Sequence, residues 1–206
     1  MVMLQYVEIA MCRNCNMQKL QYADITICIN YNMHKRQYKE DNMKLIAAVD
    51  KNWGIGNKGS LLVRIPEDMR FFKSKTVGNV VVVGRKTIDT FPGKKPLNDR
   101  VNIILTRDEN YKCDGAVVVN SIEELLEKLK EYNSDDIYII GGESIYNQMI
   151  DYCDTAYITY IDYSYESDAF FPNLEEKSDW KMIDESDEYT YFDVEYYHRT
   201  YTKRAD

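Results

Sequence analysis

Short apolar runs that alternate with helical segments are the feature that most constrains how this chain can fold. Five of the runs are "KLIAAVD" (44–50), "NVVVVGRKT" (79–87), "RVNIILTRD" (100–108), "GAVVVN" (115–120) and the start of "DIYIIGGESIYNQMI" (136–150). Apolar stretches of this length, bounded by charges or glycines, predict buried strands. The second run leads into a helix start, and the fifth predicts strand, Gly-Gly turn and helix.

Helices and further strands complete the pattern. A helix is predicted from Pro66 to about Ser74, and another over 121–132, where Ser121 and Glu124 form a capping box. A strand is predicted at 155–162, and alternating segments at 180–186 and 190–202 predict an antiparallel hairpin. The fold class is therefore α/β: a single domain with a mostly parallel central sheet, a C-terminal antiparallel hairpin and flanking helices.

The segment "KNWGIGNKGSLL" (51–62) carries Gly54, Gly56 and Gly59 between the first strand and the first helix. We predict a loop here, long enough to act as a mobile lid.

Length and charge restrict the function classes. The 206 residues are 45% hydrophobic, which suffices for one substantial core. The chain has no apolar run of membrane-spanning length and no signal-peptide h-region, so we expect a cytoplasmic monomer that contacts no membrane. A net charge of −8 argues against general nucleic-acid binding, and five cysteines without a secretory signal indicate reduced thiols.

The N-terminal region contains a sixteen-residue repeat. "LQYVEIAMCRNCNMQK" (4–19) is followed by "LQYADITICINYNMHK" (20–35), and a third copy begins at Arg36. Two and a half short copies should not bury a core of their own. We expect residues 1–42 to be a disordered extension or sequence translated from too early a start, with the working domain at 43–206. Cys12 and Cys15 form a CxxC that no second pair completes, so no metal site is predicted.

The stretch "RIPEDMRFFK" (64–73) places two acids at the start of the first predicted helix. At 100° per residue, Ile65, Met69 and Phe72 share one stripe that contains Asp68, while Glu67 points away. Acids in a first turn complement the helix dipole, which accounts for Glu67. Asp68 is instead predicted to enter an apolar pocket, where a carboxylate requires a partner.

Cationic residues stand at three predicted strand ends. Arg85, Lys86 and Thr87 follow one strand, Arg107 follows another, and "GGESIY" (141–146) allows close backbone approach to an anion. In a chain of net negative charge, this grouping predicts a cofactor with several phosphates.

Taken together, these motifs resemble those of bacterial dihydrofolate reductases. The resemblance rests on "LIAAVD", "WGIG", "IPEDM", "FFK", "VVVGRKT", "PLNDRVNIILTR", "IYIIGGESIY", "YITYID" and "DAFFP", which follow in family order from residue 43 to about 202. It implies a central eight-stranded sheet and reduction of 7,8-dihydrofolate to tetrahydrofolate with NADPH, a step of one-carbon metabolism. Hydride would reach C6 while N5 is protonated with the help of Asp68.

The resemblance implies a set of substrate contacts. Asp68 would bond the pteridine N3 and 2-amino group, and Thr159 would bond that carboxylate. Ile46 and Ile140 would offer backbone carbonyls, Met69 and Phe72 would line the pteridine face, and Arg100, with Lys95, would hold the α-carboxylate.

The resemblance also implies a set of NADPH contacts, with Ala48 and Ile55 at the nicotinamide and a cis Gly141–Gly142 peptide. Arg107 would meet the 2′-phosphate, which favours NADPH over NADH. The remaining implied cofactor residues are Gly84, Arg85, Lys86, Thr87, Thr106, Glu143, Ser144, Ile145 and Tyr146.

Three positions depart from the family pattern. Leu62-Val63 stand where the family lid has Pro-Trp, Ser167 stands where glycine is common, and Lys86 replaces a frequent histidine. Two alternative functions remain open at this point: the pyrimidine reductase of riboflavin synthesis, and a non-catalytic pterin- or nicotinamide-binding protein.

Overall fold

A computed structural model describes residues 42–204, and the expectations for the N-terminal repeat and its CxxC lie outside these residues. The helices are α1 (Pro66–Thr76), α2 (Arg85–Ile88), α3 (Ile122–Leu129) and α4 (Glu143–Met149). The strands are β1 (Met43–Val49), β2 (Gly54–Asn57), β3 (Ser60–Leu61), β4 (Val80–Gly84), β5 (Val101–Leu105), β6 (Val117–Val119), β7 (Ile137–Gly141), β8 (Cys153–Ile161), β9 (Ala169–Phe170), β10 (Trp180–Glu185), β11 (Tyr189–Tyr191) and β12 (Val194–Lys203).

Nine of the described strands form one central sheet, in the order β10-β12-β8-β1-β7-β4-β5-β6, with β11 paired to β12. The six strands from β8 to β6 are mutually parallel, whereas β12 pairs antiparallel with β8, β10 and β11. The predicted α/β fold with a closing antiparallel hairpin is therefore confirmed. The sheet has nine strands and not the eight expected, because the C-terminal segment supplies β11 as well as the two hairpin strands.

Both faces of the central sheet are buried. Val80 and Val82 belong to one hydrophobic cluster, and Val81 and Val83 belong to the other, as the two-residue period of a strand requires. Leucines of α3 pack in the first cluster, while Phe71 of α1 packs against the second. Helices on both faces explain why these strands are continuously apolar and do not alternate.

The prediction of a loop at 51–62 is wrong. Within this segment β2 and β3 pair as a short antiparallel hairpin, and β2 also pairs with β9 from far along the chain. The local sequence is rich in glycine, but the distant partner supplies the hydrogen bonds that make it a three-stranded sheet.

Helix boundaries follow the sequence closely. α1 extends to Thr76, two residues past the predicted end, and α3 is shorter than predicted and stops at Leu129. The Ser121 side chain accepts a hydrogen bond from the Glu124 backbone N–H at 3.1 Å, as the capping box predicts. The Glu124 carboxylate reaches one residue further back and accepts from the Asn120 N–H at 2.7 Å.

Candidate active site

The carboxyl ends of the parallel strands meet at one edge of the central sheet. β1, β4, β5, β7 and β8 all end there, and α1, α2 and α4 begin beside it. In open α/β sheets, ligands bind at this edge.

Asp68 lies in the first turn of α1, after Pro66 at the first helical position. Its side chain is buried with 7% of the residue exposed, and the Thr159 hydroxyl on β8 donates to its Oδ1 at 2.6 Å. Burial raises the pKa of the Asp68 carboxyl, and the hydrogen bond from Thr159 opposes that rise. Glu67 is exposed and pairs with Arg70 at 2.7 Å, so the two acids face opposite environments as helical periodicity predicts.

The hydrogen bonding continues beyond Thr159 to a residue that the sequence did not indicate. His198 Nδ1 lies 3.0 Å from the Thr159 hydroxyl oxygen, and the two residues are direct antiparallel partners on β12 and β8. The imidazole stacks on Phe71 of α1, with ring centroids 4.0 Å apart. Burial, and to a lesser degree Lys75, lowers the pKa of His198.

The two backbone carbonyls expected at the pteridine lie on neighbouring strands. Tyr146, buried in α4, donates its hydroxyl to the Ile46 carbonyl on β1 at 2.7 Å. A carbonyl oxygen has two lone pairs, so Ile46 keeps one acceptor position. Ile140 lies where the pairing of β7 with β4 shifts from Val82–Ile139 to Val83–Gly141, and such a bulge leaves one residue out of the ladder.

Met69 is 40% exposed, at the open edge of the inward stripe of α1. Asp68 and Thr76 are the two buried residues of that helix, and the half-buried Phe72 completes the inward side.

Arg100 is held near the far end of α1. It donates to the Thr76 hydroxyl at 3.0 Å and to the Asn98 carbonyl at 2.9 Å, and its guanidinium lies 6.0 Å from the centre of the Phe72 ring. Partial burial lowers the pKa of Arg100. Arg100 and Lys95 line a cleft of about 820 Å³ on this side of the domain.

The expected phosphate-binding residues converge where β4 and β7 end side by side. A Cβ added to Gly142 would come within 3.0 Å of the Thr87 Oγ1, and one added to Gly84 would come within 3.0 Å of Ile145. The Gly141–Gly142 peptide is cis, and Gly141 has a φ of 106°. Glycine therefore permits the close packing of Thr87 and Ile145 at this junction, and Arg85 and Lys86 stand at the adjacent start of α2.

The other expected cofactor residues are placed around this junction. Ala48 is the strand partner of Thr159, and Ile55 lies on β2 against the core. Thr106 is buried directly after β5, whereas Arg107 is exposed. Glu143 and Ser144 form the first turn of α4, which buries Ile145 and Tyr146.

Two further acids secure the segment predicted as a lid. Asp50 is fully buried, and its carboxylate accepts backbone N–H bonds from Asn52, Gly54 and Tyr165, each at 2.8 Å. Asp168 accepts from the Lys58 N–H at 2.9 Å. Neither contact was predicted from the sequence. For Asp50, the feature that could have indicated it is an acid at the end of a buried strand.

Comparison with known proteins decides the family. A family model described as dihydrofolate reductase matches residues 42–203. The chain belongs to the dihydrofolate reductase family.

Members of this family are similar to the chain over most of their own length. The chain is 36% identical over 157 residues to a dihydrofolate reductase from Staphylococcus haemolyticus, covering 73% of this chain and 92% of that one. It is 37% identical over 142 residues to one from Buchnera aphidicola, covering 69% and 86%. The fold matches the dihydrofolate reductase of Enterococcus faecalis in complex with NADP(H) and RAB-propyl, with a TM-score of 0.72, 30% identity, and 81% and 98% of the two chains covered.

The sequence resemblance to this enzyme family is thus confirmed. None of the helices within residues 42–204 has the length and apolar character needed to cross a bilayer. The same residues contain no cluster of three His, Cys, Asp or Glu side chains that could hold a metal ion.

Proposed function

We propose that this chain reduces 7,8-dihydrofolate to 5,6,7,8-tetrahydrofolate with NADPH. The observation that carries the proposal is the buried Asp68 carboxylate at the ligand-binding edge of the sheet, hydrogen-bonded by Thr159. Family membership supports the reaction class, because the relatives are dihydrofolate reductases.

Asp68 is suited to hold a flat heterocycle that presents two donors. Thr159 occupies one acceptor position of Oδ1, which leaves several others for the N3 and 2-amino groups of the pteridine. Charge-assisted bonds of this kind fix orientation and offset the cost of burying the carboxylate. A negative carboxylate close to the pteridine also favours the protonated ring, so it supports proton delivery to N5.

The rest of the substrate extends along α1 in this proposal. Ile46 and Ile140 supply carbonyl acceptors on the pteridine edge, and Phe72 and Met69 pack against the ring system. Arg100, oriented by Thr76 and Asn98, retains donors for a bidentate bond to the α-carboxylate, and Lys95 adds charge in the same cleft.

The junction of β4 and β7 fits NADPH. Gly84, Gly141 and Gly142 let the ends of β4 and β7 and the starts of α2 and α4 approach one another closely. In this proposal a pyrophosphate binds between these helix starts, where Arg85, Lys86 and Thr87 supply donors. When bound, NADPH supplies the hydride that the pteridine C6 accepts. Arg107 is exposed after β5 and is placed by the proposal at the 2′-phosphate.

The test is a steady-state assay that follows NADPH absorbance with 7,8-dihydrofolate as substrate. Asp68→Asn keeps the shape and removes the charge, so kcat should fall by ~10²–10⁴ at neutral pH, the range for positioned acid–base groups. Lowering the pH should partly restore this variant, because solvent then supplies the proton. The affinity for NADPH should barely change.

Glu67→Gln is the matched control, one residue away and exposed on the opposite helix face. It should leave turnover unchanged. A silent Asp68→Asn together with an inactive Glu67→Gln would refute the assignment. Absence of dihydrofolate-dependent NADPH oxidation in the unmodified protein would refute the reaction itself.

A further inference from the structure

The hydrogen-bond chain behind Asp68 contains one more titratable residue than the proposed reaction uses. Asp68 Oδ1, the Thr159 hydroxyl and His198 Nδ1 lie in sequence, at 2.6 Å and 3.0 Å. Three different elements contribute to it: α1, β8 and β12.

Hydroxyl chemistry fixes the direction of this chain. A threonine hydroxyl has one proton to donate, and an ionised carboxylate can only accept. When Asp68 is ionised, Thr159 must therefore donate to Asp68 and accept from His198. His198 then carries its proton on Nδ1, because the contact between Nδ1 and the hydroxyl oxygen would otherwise join two acceptors.

The opposite direction becomes available when Asp68 takes up a proton. Its carboxyl O–H can then donate to the Thr159 oxygen, and the Thr159 proton can turn toward Nδ1. The neutral imidazole must in that case exchange its Nδ1 proton for one on Nε2 with solvent. The net change is one proton gained, on Asp68.

We propose that His198 is a positioning residue for Asp68, because its Nδ1–H holds the Thr159 hydroxyl as a donor to the carboxylate and reports its ionisation through the imidazole tautomer. The relevance of this device to turnover rests on the proposed reduction. The device itself rests on the geometry of the three side chains.

The position of His198 is well enforced. Its backbone N–H donates to the Ser186 hydroxyl at 2.9 Å, and cross-strand pairing with Thr159 fixes its register. The Phe71 ring, 4.0 Å away and nearly parallel at 20°, fixes the plane of the imidazole. A ring held in this way keeps Nδ1 directed at Thr159.

Other charged and titratable groups surround the imidazole. Lys75 on α1 disfavours the imidazolium, and Asp68 on the same helix lies beyond the hydroxyl. Tyr189 on β11 and Tyr196 on β12 contact the ring with centroids at 5.4 and 5.8 Å. Burial and Lys75 both lower the pKa of His198, so the neutral ring, whose tautomer reports the ionisation of Asp68, is favoured at neutral pH.

The first experiment records the tautomer of His198 by ¹⁵N NMR of the full chain without ligand. The sequence has two histidines, and His34→Gln assigns the signals. We expect an Nδ1–H ring at neutral pH, and Thr159→Val should abolish that preference because it removes the acceptor. Lys75→Gln changes the nearby charge but keeps the hydrogen bonds between Asp68, Thr159 and His198, so it should leave the His198 tautomer unchanged.

The second experiment measures the Asp68 carboxyl titration by ¹³C NMR. His198→Phe keeps the ring stack and removes the donor, so the hydroxyl donates less strongly to the carboxylate. With cooperativity of about 10–30% on a charge-assisted bond, the Asp68 titration should move up by roughly 0.1–0.7 pH units. In His198→Asn, whose amide N–H can replace Nδ1–H, the Asp68 titration should return most of the way to that of the unmodified protein. In a Thr159→Val background, His198→Phe should have no effect on the Asp68 titration.

Two results would overturn the proposal. One is a His198 ring that carries its proton on Nε2 both in the unmodified protein and in Thr159→Val. The other is an Asp68 titration that is the same in His198→Phe as in the unmodified protein. A structural role alone would change the melting temperature without a tautomer signature or rescue by asparagine. Neither measurement uses substrate, so their failure is distinct from an absence of dihydrofolate turnover.

Discussion

The Asp68 carboxylate should cost this protein stability, and its removal provides a quantitative test of the site. The group is buried with one described side-chain hydrogen-bond partner, Thr159. Asparagine has the same shape, can still accept from Thr159 through its amide oxygen, and carries no charge. We therefore expect Asp68→Asn to be more stable than the unmodified protein at pH 7, although far less active.

The magnitude follows from two opposing contributions. Burying one ion costs several kcal/mol in real proteins, and a hydrogen bond to a charged group returns about 1.5–3 kcal/mol. A net cost on the order of 1–2 kcal/mol remains, and domains of this size shift by roughly 2–4 °C per kcal/mol. The melting temperature of Asp68→Asn should thus rise by about 2–8 °C.

The pH dependence of this gain has a definite sign. Burial raises the pKa of Asp68 in the folded protein above the unfolded value of about 3.9. The penalty is present in full above the folded pKa and is lost as the pH falls from the folded to the unfolded pKa, below which both states are protonated. The difference in melting temperature should therefore shrink toward zero near pH 4.

Calorimetry or circular-dichroism melts of both proteins between pH 4 and 8 measure this difference. Glu67→Gln is the control, since its exposed pair with Arg70 is worth only a few tenths of a kcal/mol. An unmodified protein as stable as Asp68→Asn at pH 7, with no pH dependence in the difference, would show that hydrogen bonding outweighs burial at this carboxyl.

Three further outcomes are expected. Arg107→Ala should raise KM for NADPH by about tenfold to a hundredfold, from a charge-assisted contact of roughly 1.5–3 kcal/mol, with little effect on NADH; equal effects in a two-cofactor assay would place Arg107 away from the 2′-phosphate. Tyr146→Phe removes the buried bond to the Ile46 carbonyl and should lower the melting temperature by roughly 1–6 °C in a thermal melt, and an unchanged value would mean that the bond is energetically neutral. A chain of residues 43–206 should keep its melting temperature and turnover, because every described strand pairs within Met43–Lys203; a large loss of either would give the N-terminal repeat a structural role.

Most of the fold was accessible from the sequence because its signals are local. Five of the six parallel strands, β1 and β4 to β7, are short apolar runs, and burial on both faces removes the ambiguity about which side faces the core. The burial of Asp68 followed from the same kind of signal, since helical periodicity alone separates it from Glu67. The cap that Ser121 forms on its helix was predictable for the same reason, because the capping box is also a local sequence pattern.

The glycine-rich segment failed as a prediction because its structure depends on distant residues. β2 is held by β9, more than a hundred positions later in the chain, and Asp50 accepts from the Tyr165 N–H across a similar separation. Neither partner carries a signal in the local sequence. A glycine-rich hairpin and a glycine-rich loop are therefore indistinguishable until the sheet is assembled.

His198 shows the same limit within a correctly predicted strand. Alternation along 190–202 indicates a strand, but it does not state which residue faces Thr159. A shift of one residue in register would have turned the imidazole to the other face of the sheet. The pairing of β12 with β8 decides the matter, and that pairing is a property of the whole domain.

Leu62 and Val63, which depart from the family pattern, lie just before α1. Val63 packs against Ile65, Ile161 and Tyr196, a small cluster close to the start of α1 and therefore to Asp68. An aliphatic side chain offers no hydrogen bond, so this position can contribute only apolar contact near the carboxylate. The side-chain hydrogen bond that the structure describes at Asp68 comes from Thr159, with His198 behind it. Leu62 and Val63 therefore add no side-chain hydrogen bond to the series Asp68, Thr159 and His198.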